Sequence, residues 1–95
     1  MFIVLLKFAE HRARARDFME AHNAWIKSGF DDGVFLLTGS LEGGQGGTVL
    51  AHGVSRAELE TRVGADPFVQ EKVVTAEIVQ VAPAKADERL GFLLA

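Results

Sequence analysis

The chain has 95 residues, 48% of them hydrophobic, enough for one domain around one core although a chain this short buries a smaller share of its surface than a longer one. Its net charge of −3 supplies no basic field for nucleic acid. The absence of cysteine excludes disulfide scaffolds, thiolate zinc sites and cysteine nucleophiles.

Phe2 to Phe8 is an almost unbroken apolar run of strand length, the pattern of a strand covered on both faces, and it predicts a central strand. The run has neither the basic start of a signal peptide nor the length of a membrane span, so the expected setting is the cytoplasm, with no membrane partner. From Arg14 a helical period begins, with Phe18, His22, Trp25, Ile26 and Gly29 on one stripe and Asp17, Glu20, Asn23 and Lys27 on the opposite side. Gly29 is expected to stop the helix, and Asp31-Asp32-Gly33 to turn the chain.

Val34 to Leu37, ending in Thr38-Gly39-Ser40, predicts a second strand, and Thr48 to His52 a third. The glycines of Leu41 to Gly47 read as a mobile hairpin connection that pairs these two strands antiparallel. That stretch lacks the Lys-Ser/Thr ending of a phosphate loop and joins two strands rather than opening a helix. Ser55-Arg56-Ala57-Glu58 fits a capping box, Leu59 and Val63 mark the buried side of the helix it opens, and Gly64 closes that helix. Asp66-Pro67-Phe68 then sets an N-cap, a proline suited to a first turn and an apolar foot, directly before a β-rich run from Val73 to Val81. Pro83 ends that strand, and an apolar tail, Leu90 to Leu94, is expected to pack on the domain or on a neighbour.

The order strand, helix, strand, strand, helix, strand predicts an α+β fold with the ferredoxin-like βαββαβ arrangement in one domain spanning 1–95, with a core of 1–83 and a tail of 84–95. Two helices cover one face of a four-stranded sheet. The doubly apolar strands therefore call for a second copy on the other face, and a homodimer is the expected assembly.

His22 on an apolar stripe reads by spacing alone as a core histidine bonded to a backbone carbonyl, and Asp66 has a sufficient structural role as a cap. Ser40, after the permissive Gly39, fits either a strand end or a ligand contact. Trp25 fits core or substrate platform. His11 and His52 are isolated, so no metal site is expected.

Phe2-Ile3-Val4-Leu5-Leu6, Glu20-Ala21-His22-Asn23-Ala24-Trp25-Ile26, Gly39-Ser40, Ala65-Asp66-Pro67-Phe68-Val69 and Ala76-Glu77-Ile78 together resemble the YciI-like proteins, the YCII-related domain family, from Met1 to about Pro83. The resemblance implies a dimeric α+β barrel built on the ferredoxin-like unit, with His22 and Asp66 as an active-site pair. A domain related to the family takes part in removing chloride from a chlorinated hydroxyhydroquinone. The resemblance thus implies acid-base chemistry without a cofactor, of a lyase, dehydrochlorinase-like or hydrolase kind, on a small molecule for which an aromatic is one candidate; Ser40 and Trp25 are the candidate substrate contacts by their own positions. The alternative is a dimeric module that binds a ligand without turning it over.

Overall fold

The computed structural model describes residues 1–94; Ala95, the end of the expected domain and tail, lies outside the described residues. The elements are β1 (Phe2–Phe8), a 3-10 turn (Arg12–Arg14), α1 (Ala15–Asp31), β2 (Phe35–Leu41), β3 (Gly46–Ala51), α2 (Arg56–Gly64), α3 (Pro67–Gln70), β4 (Val74–Gln80) and a second 3-10 segment (Glu88–Leu94). The sheet order is β2-β3-β1-β4 with every neighbouring pair antiparallel, which is the ferredoxin-like topology. β1 is central, as its apolar run requires.

Alternation along β1 divides the sheet into two faces. Phe2, Val4 and Leu6 point under the helices and are buried, together with Val49, Ala51 and Val74 from the neighbouring strands. α1 supplies His22, Trp25 and Gly29 to this core, and α2 supplies Leu59 and Val63. Ile3 and Leu5 point the other way and are only half-buried. Register across the four strands sets Leu37, Leu50, Ile3 and Val79 opposite one another in a single aliphatic row on that second face, which carries no α-helix among the described residues. The ends of this row are open, Leu37 being 50% and Val79 38% exposed.

The stop of α1 differs from the expected one. Gly29 is inside the helix, which runs to Asp31, and a Cβ built on Gly29 would lie 2.1 Å from the Phe35 ring. Glycine is there to let β2 approach the helix. The chain turns instead at Gly33, with φ of 73°. The glycine hairpin is also shorter than expected, because Gly46 and Gly47 are already paired in β3 and Leu41 still belongs to β2. Gly46 has φ of 136°, and a Cβ there would meet the Leu6 carbonyl oxygen. One extra residue in β2 between Phe35 and Leu37 shifts the register, a bulge that turns Leu37 outward and brings Thr38 and Ser40 to the helix side.

Ser55 caps α2 as its sequence predicts, accepting the Glu58 backbone N–H at 3.1 Å. Glu58 reaches back to the Ser55 hydroxyl, which donates to its carboxylate at 3.1 Å, rather than to the backbone amide the capping-box pattern names. The C-terminal segment is a short 3-10 turn started by Asp87, whose side chain accepts from the Arg89 backbone and guanidinium. Those two bonds hold the Asp87 carboxyl below its usual value. Phe92 meets the His52 ring edge-on at 5.3 Å, while Leu90, Phe92 and Leu94 each remain nearly half exposed.

Candidate functional site

Asp66 sits where α2 hands over to α3, and both neighbours hold it. Its backbone N–H donates to the Val63 carbonyl at 3.1 Å, and its Oδ1 accepts the Phe68 backbone N–H at 3.0 Å as the N-cap of α3. Pro67 follows at the first helical position, where its missing N–H costs nothing. The carboxylate is fully buried. A burial of that kind is tolerated only where strong donors meet the charge.

The second donor is His22. Its Nδ1–H donates to the same Oδ1 at 2.7 Å, across a sequence separation of 44 residues. An ionised carboxylate only accepts, so in the neutral imidazole this contact assigns the proton to Nδ1 and the lone pair to Nε2. The ring is packed among aromatics: Phe68 stacks on it at 3.9 Å and 4°, and Trp25 lies at 5.8 Å and 25°. Trp25 is in turn fixed by donating Nε1–H to the Arg62 carbonyl at 2.9 Å, and Arg62 is paired with Asp32 at 2.7 Å. Tautomer and orientation of His22 are thus set by a chain of packed groups running back through α2.

Among the described residues Nε2 of His22 has no protein partner, and it is not one of the occluded polar atoms. His22 lines a cavity of about 310 Å³ between α1 and the β2–β3 side of the sheet, and with Nδ1 engaged by Asp66 its available ring nitrogen is Nε2. Leu6, Phe8, Met19, Ile26 and Phe68 give this cavity apolar walls, and Asn23, Thr38, Ser40 and Thr48 give it polar ones. Gly47 pairs with Leu6 on β1 and Ser40 on β2 and lines the same cavity, and a Cβ on it would lie 3.2 Å from the Gly39 carbonyl oxygen. The other carboxylate oxygen, Oδ2 of Asp66, is buried without a partner. The imidazole is therefore the one side-chain donor this carboxylate has among the described residues, and a proton taken up at Nε2 would place a cation directly against it.

Three of the four residues singled out from sequence converge here: His22 and Ser40 line the cavity, and Asp66 stands behind the ring. Trp25 does not line it. It packs beside the His22 ring and borders a different cleft of about 530 Å³ between α1 and α2, together with Ser28, Glu58, Thr61 and Arg62. Asn23, assigned by period to the polar side of α1, borders the His22 cavity, because that cavity is wider than the apolar stripe. His11 and His52 are elsewhere: Nδ1 of His11 lies 3.1 Å from the Glu71 carbonyl, and His52 contacts Phe92. Among the described residues no group of three or more histidines and carboxylates is assembled as a ligand set for a metal ion.

No protein-family model and no curated protein matches the sequence. Among solved structures the chain is similar to 5-chloro-2-hydroxyhydroquinone dehydrochlorinase (TftG) from Burkholderia phenoliruptrix AC1100, in complex with 2,5-dihydroxybenzoquinone. The TM-score is 0.69 at 15% sequence identity, over 85% of this chain and 93% of that one. At that identity the likeness establishes the fold.

Proposed function

We propose that the protein is a small enzyme of the YciI-like type that works without a cofactor, with His22 as general acid and base, Asp66 as its positioning partner and Ser40 as a substrate contact. The observation that carries this reading is the 2.7 Å contact from Nδ1 to a buried carboxylate, on a histidine that lines a cavity. A histidine held in this way is a base at Nε2, and the imidazolium it becomes is stabilised by the charge it already touches. The cavity, at about 310 Å³, is at the small end of ligand sites and suits one ring with its substituents.

The reaction class that fits best is an elimination. Nε2 takes a proton from a hydroxyl or carbon of the substrate, the freed electron pair forms a new double bond, and a leaving group such as halide departs with the bonding pair. The dehydrochlorinase to which the fold is similar supports this choice over hydrolysis, and its quinone ligand supports a six-membered ring as the substrate frame. The active form in this reading is a homodimer, joined through the helix-free face of the sheet.

The test is turnover of 5-chloro-2-hydroxyhydroquinone, followed by chloride release, alongside a set of phenyl esters for hydrolysis. Wild-type protein is expected to release chloride, His22→Gln to lose at least 100-fold in kcat, and Asp66→Asn about 10- to 100-fold, in line with typical general acid-base contributions. Tight binding of the quinol with no turnover of any compound would move the protein into the class of ligand-binding modules.

A further inference from the structure

Among the described residues the cavity lining holds no carboxylate, and its one ionisable side chain is His22. Just outside the hairpin end stands Arg12. Its guanidinium carbon lies 4.2 Å from the centroid of the Phe8 ring, and Phe8 is part of the cavity wall. One of its terminal nitrogens also lies 3.8 Å from where a Cβ on Gly44 would be, so this exposed side chain lies near both the wall and the β2–β3 turn. The neighbouring basic residue of the same 3-10 turn is spoken for: Arg14 lies 3.9 Å from Asp17 and 4.0 Å from Glu71. Among the described residues Arg12 has no carboxylate within ion-pair distance, in a chain with more acidic than basic residues.

A guanidinium laid on an aromatic face is oriented, and it keeps its N–H edge free for a planar oxyanion. We propose that Arg12 is the anion-recognising residue of this cavity, and that the ligand taken up beside His22 is a small ring bearing a carboxylate or phenolate at the end nearest the hairpin. The apolar walls take the ring, Asn23 and Ser40 take its neutral polar substituents, and Arg12 pairs with its charge. This rests on the proposed function for the location of the ligand, and it adds the charge of the ligand and the group that reads it. It also accounts for the absence of acidic residues from the lining, since one there would repel such a ligand.

Binding equilibria separate this proposal from the catalytic one. Benzoate and benzamide are nearly the same shape and differ in charge, and Trp25, the single tryptophan, stands 5.8 Å from the His22 ring as an intrinsic reporter. The measurement is the Kd of each probe by tryptophan fluorescence and by NMR shift of the His22 ring protons, at low and at high salt. Benzoate is expected to bind at least 10-fold more tightly than benzamide, with the preference shrinking as salt rises. Arg12→Gln should bring benzoate down to the benzamide value and leave benzamide unchanged, whereas Arg89→Gln, on the C-terminal segment, should change neither. Equal affinity of the two probes for the wild type, no binding of either, or a benzoate preference that survives Arg12→Gln, overturns the assignment. His22→Gln is expected to keep the benzoate preference while losing turnover. A wild type that prefers benzoate through Arg12 but turns nothing over would sink the enzyme reading and leave this one standing.

Discussion

At the scale of single residues, the site depends on one oxygen doing two jobs. Oδ1 of Asp66 accepts from the Phe68 backbone and from His22, while Oδ2 is buried and unpartnered. Asp66→Asn keeps a carbonyl oxygen for the cap but replaces a charge by a neutral acceptor, so fold and tautomer should respond differently. The cap term, about 1 kcal/mol by typical substitution costs, is largely retained. The preference for Nδ1–H on His22 weakens. Long-range nitrogen-proton correlation spectra of the imidazole are expected to show wild-type His22 with its proton on Nδ1 and a bare Nε2, and Asp66→Asn with the two tautomers mixed. A wild-type ring protonated on Nε2 would mean that the carboxylate does not set the tautomer. Part of this was legible in the sequence: Asp66-Pro67-Phe68 announces a cap, and His22 announces a buried polar group. Their meeting across 44 residues was implied by the family resemblance and not by spacing, because a period along α1 fixes a face but not what another element brings to it.

At the scale of elements, the fit of α1 against β2 turns on Gly29. Local chemistry read that glycine as a helix stop, since a glycine just after the last apolar position usually is one. Tertiary contact decided otherwise: Phe35, 3% exposed, occupies the space where a side chain would be, and the helix continues to Asp31. Gly29→Ala therefore sets two effects against each other. The helix interior gains up to about 1 kcal/mol from the better helix former. Overpacking against a ring that cannot move costs typically about 1–3 kcal/mol, and more where the clash is severe. A Cβ 2.1 Å from the ring falls in the severe class, so a net loss is expected. Urea denaturation of Gly29→Ala should show a lower midpoint, and Phe35→Leu in the same chain should recover part of the loss, the two sites being coupled. A stabilised single variant would return Gly29 to the role of a plain helix residue. The bulge in β2 was hidden from sequence for a related reason: nothing in Phe35-Leu36-Leu37 says which of three apolar residues is the extra one, yet the choice sends Ser40 to the cavity side.

At the scale of the whole molecule, the uncovered face of the sheet asks for a partner. Leu37, Leu50, Ile3 and Val79 form a row four strands wide, with Leu5 beneath it and Lys7 and Glu77 further along the same face. Neither Lys7 nor Glu77 forms an ion pair among the described residues. A second copy related by a two-fold axis would lay one aliphatic row on another and bring opposite charges within reach across the joint, the self-complementarity that such an interface needs. The half-exposed Leu90, Phe92 and Leu94 add to the apolar surface of the molecule; Phe92 touches the domain at His52 and Leu93 is half-buried, and packing of the rest on a neighbour, the other arm of the expectation, stays a prediction. The expected result in sedimentation is a dimer at micromolar concentration. Ile3→Glu would bury a charge in the middle of the row, opposite the same charge on the partner, and should shift the protein to monomer with its circular dichroism unchanged, because Ile3 lies outside the core beneath the helices. Tight self-association that is indifferent to Ile3→Glu would place the interface elsewhere. A wild type that stays monomeric at those concentrations would mean that a four-strand aliphatic row can face water in this fold, and the dimer would be lost together with the argument for it.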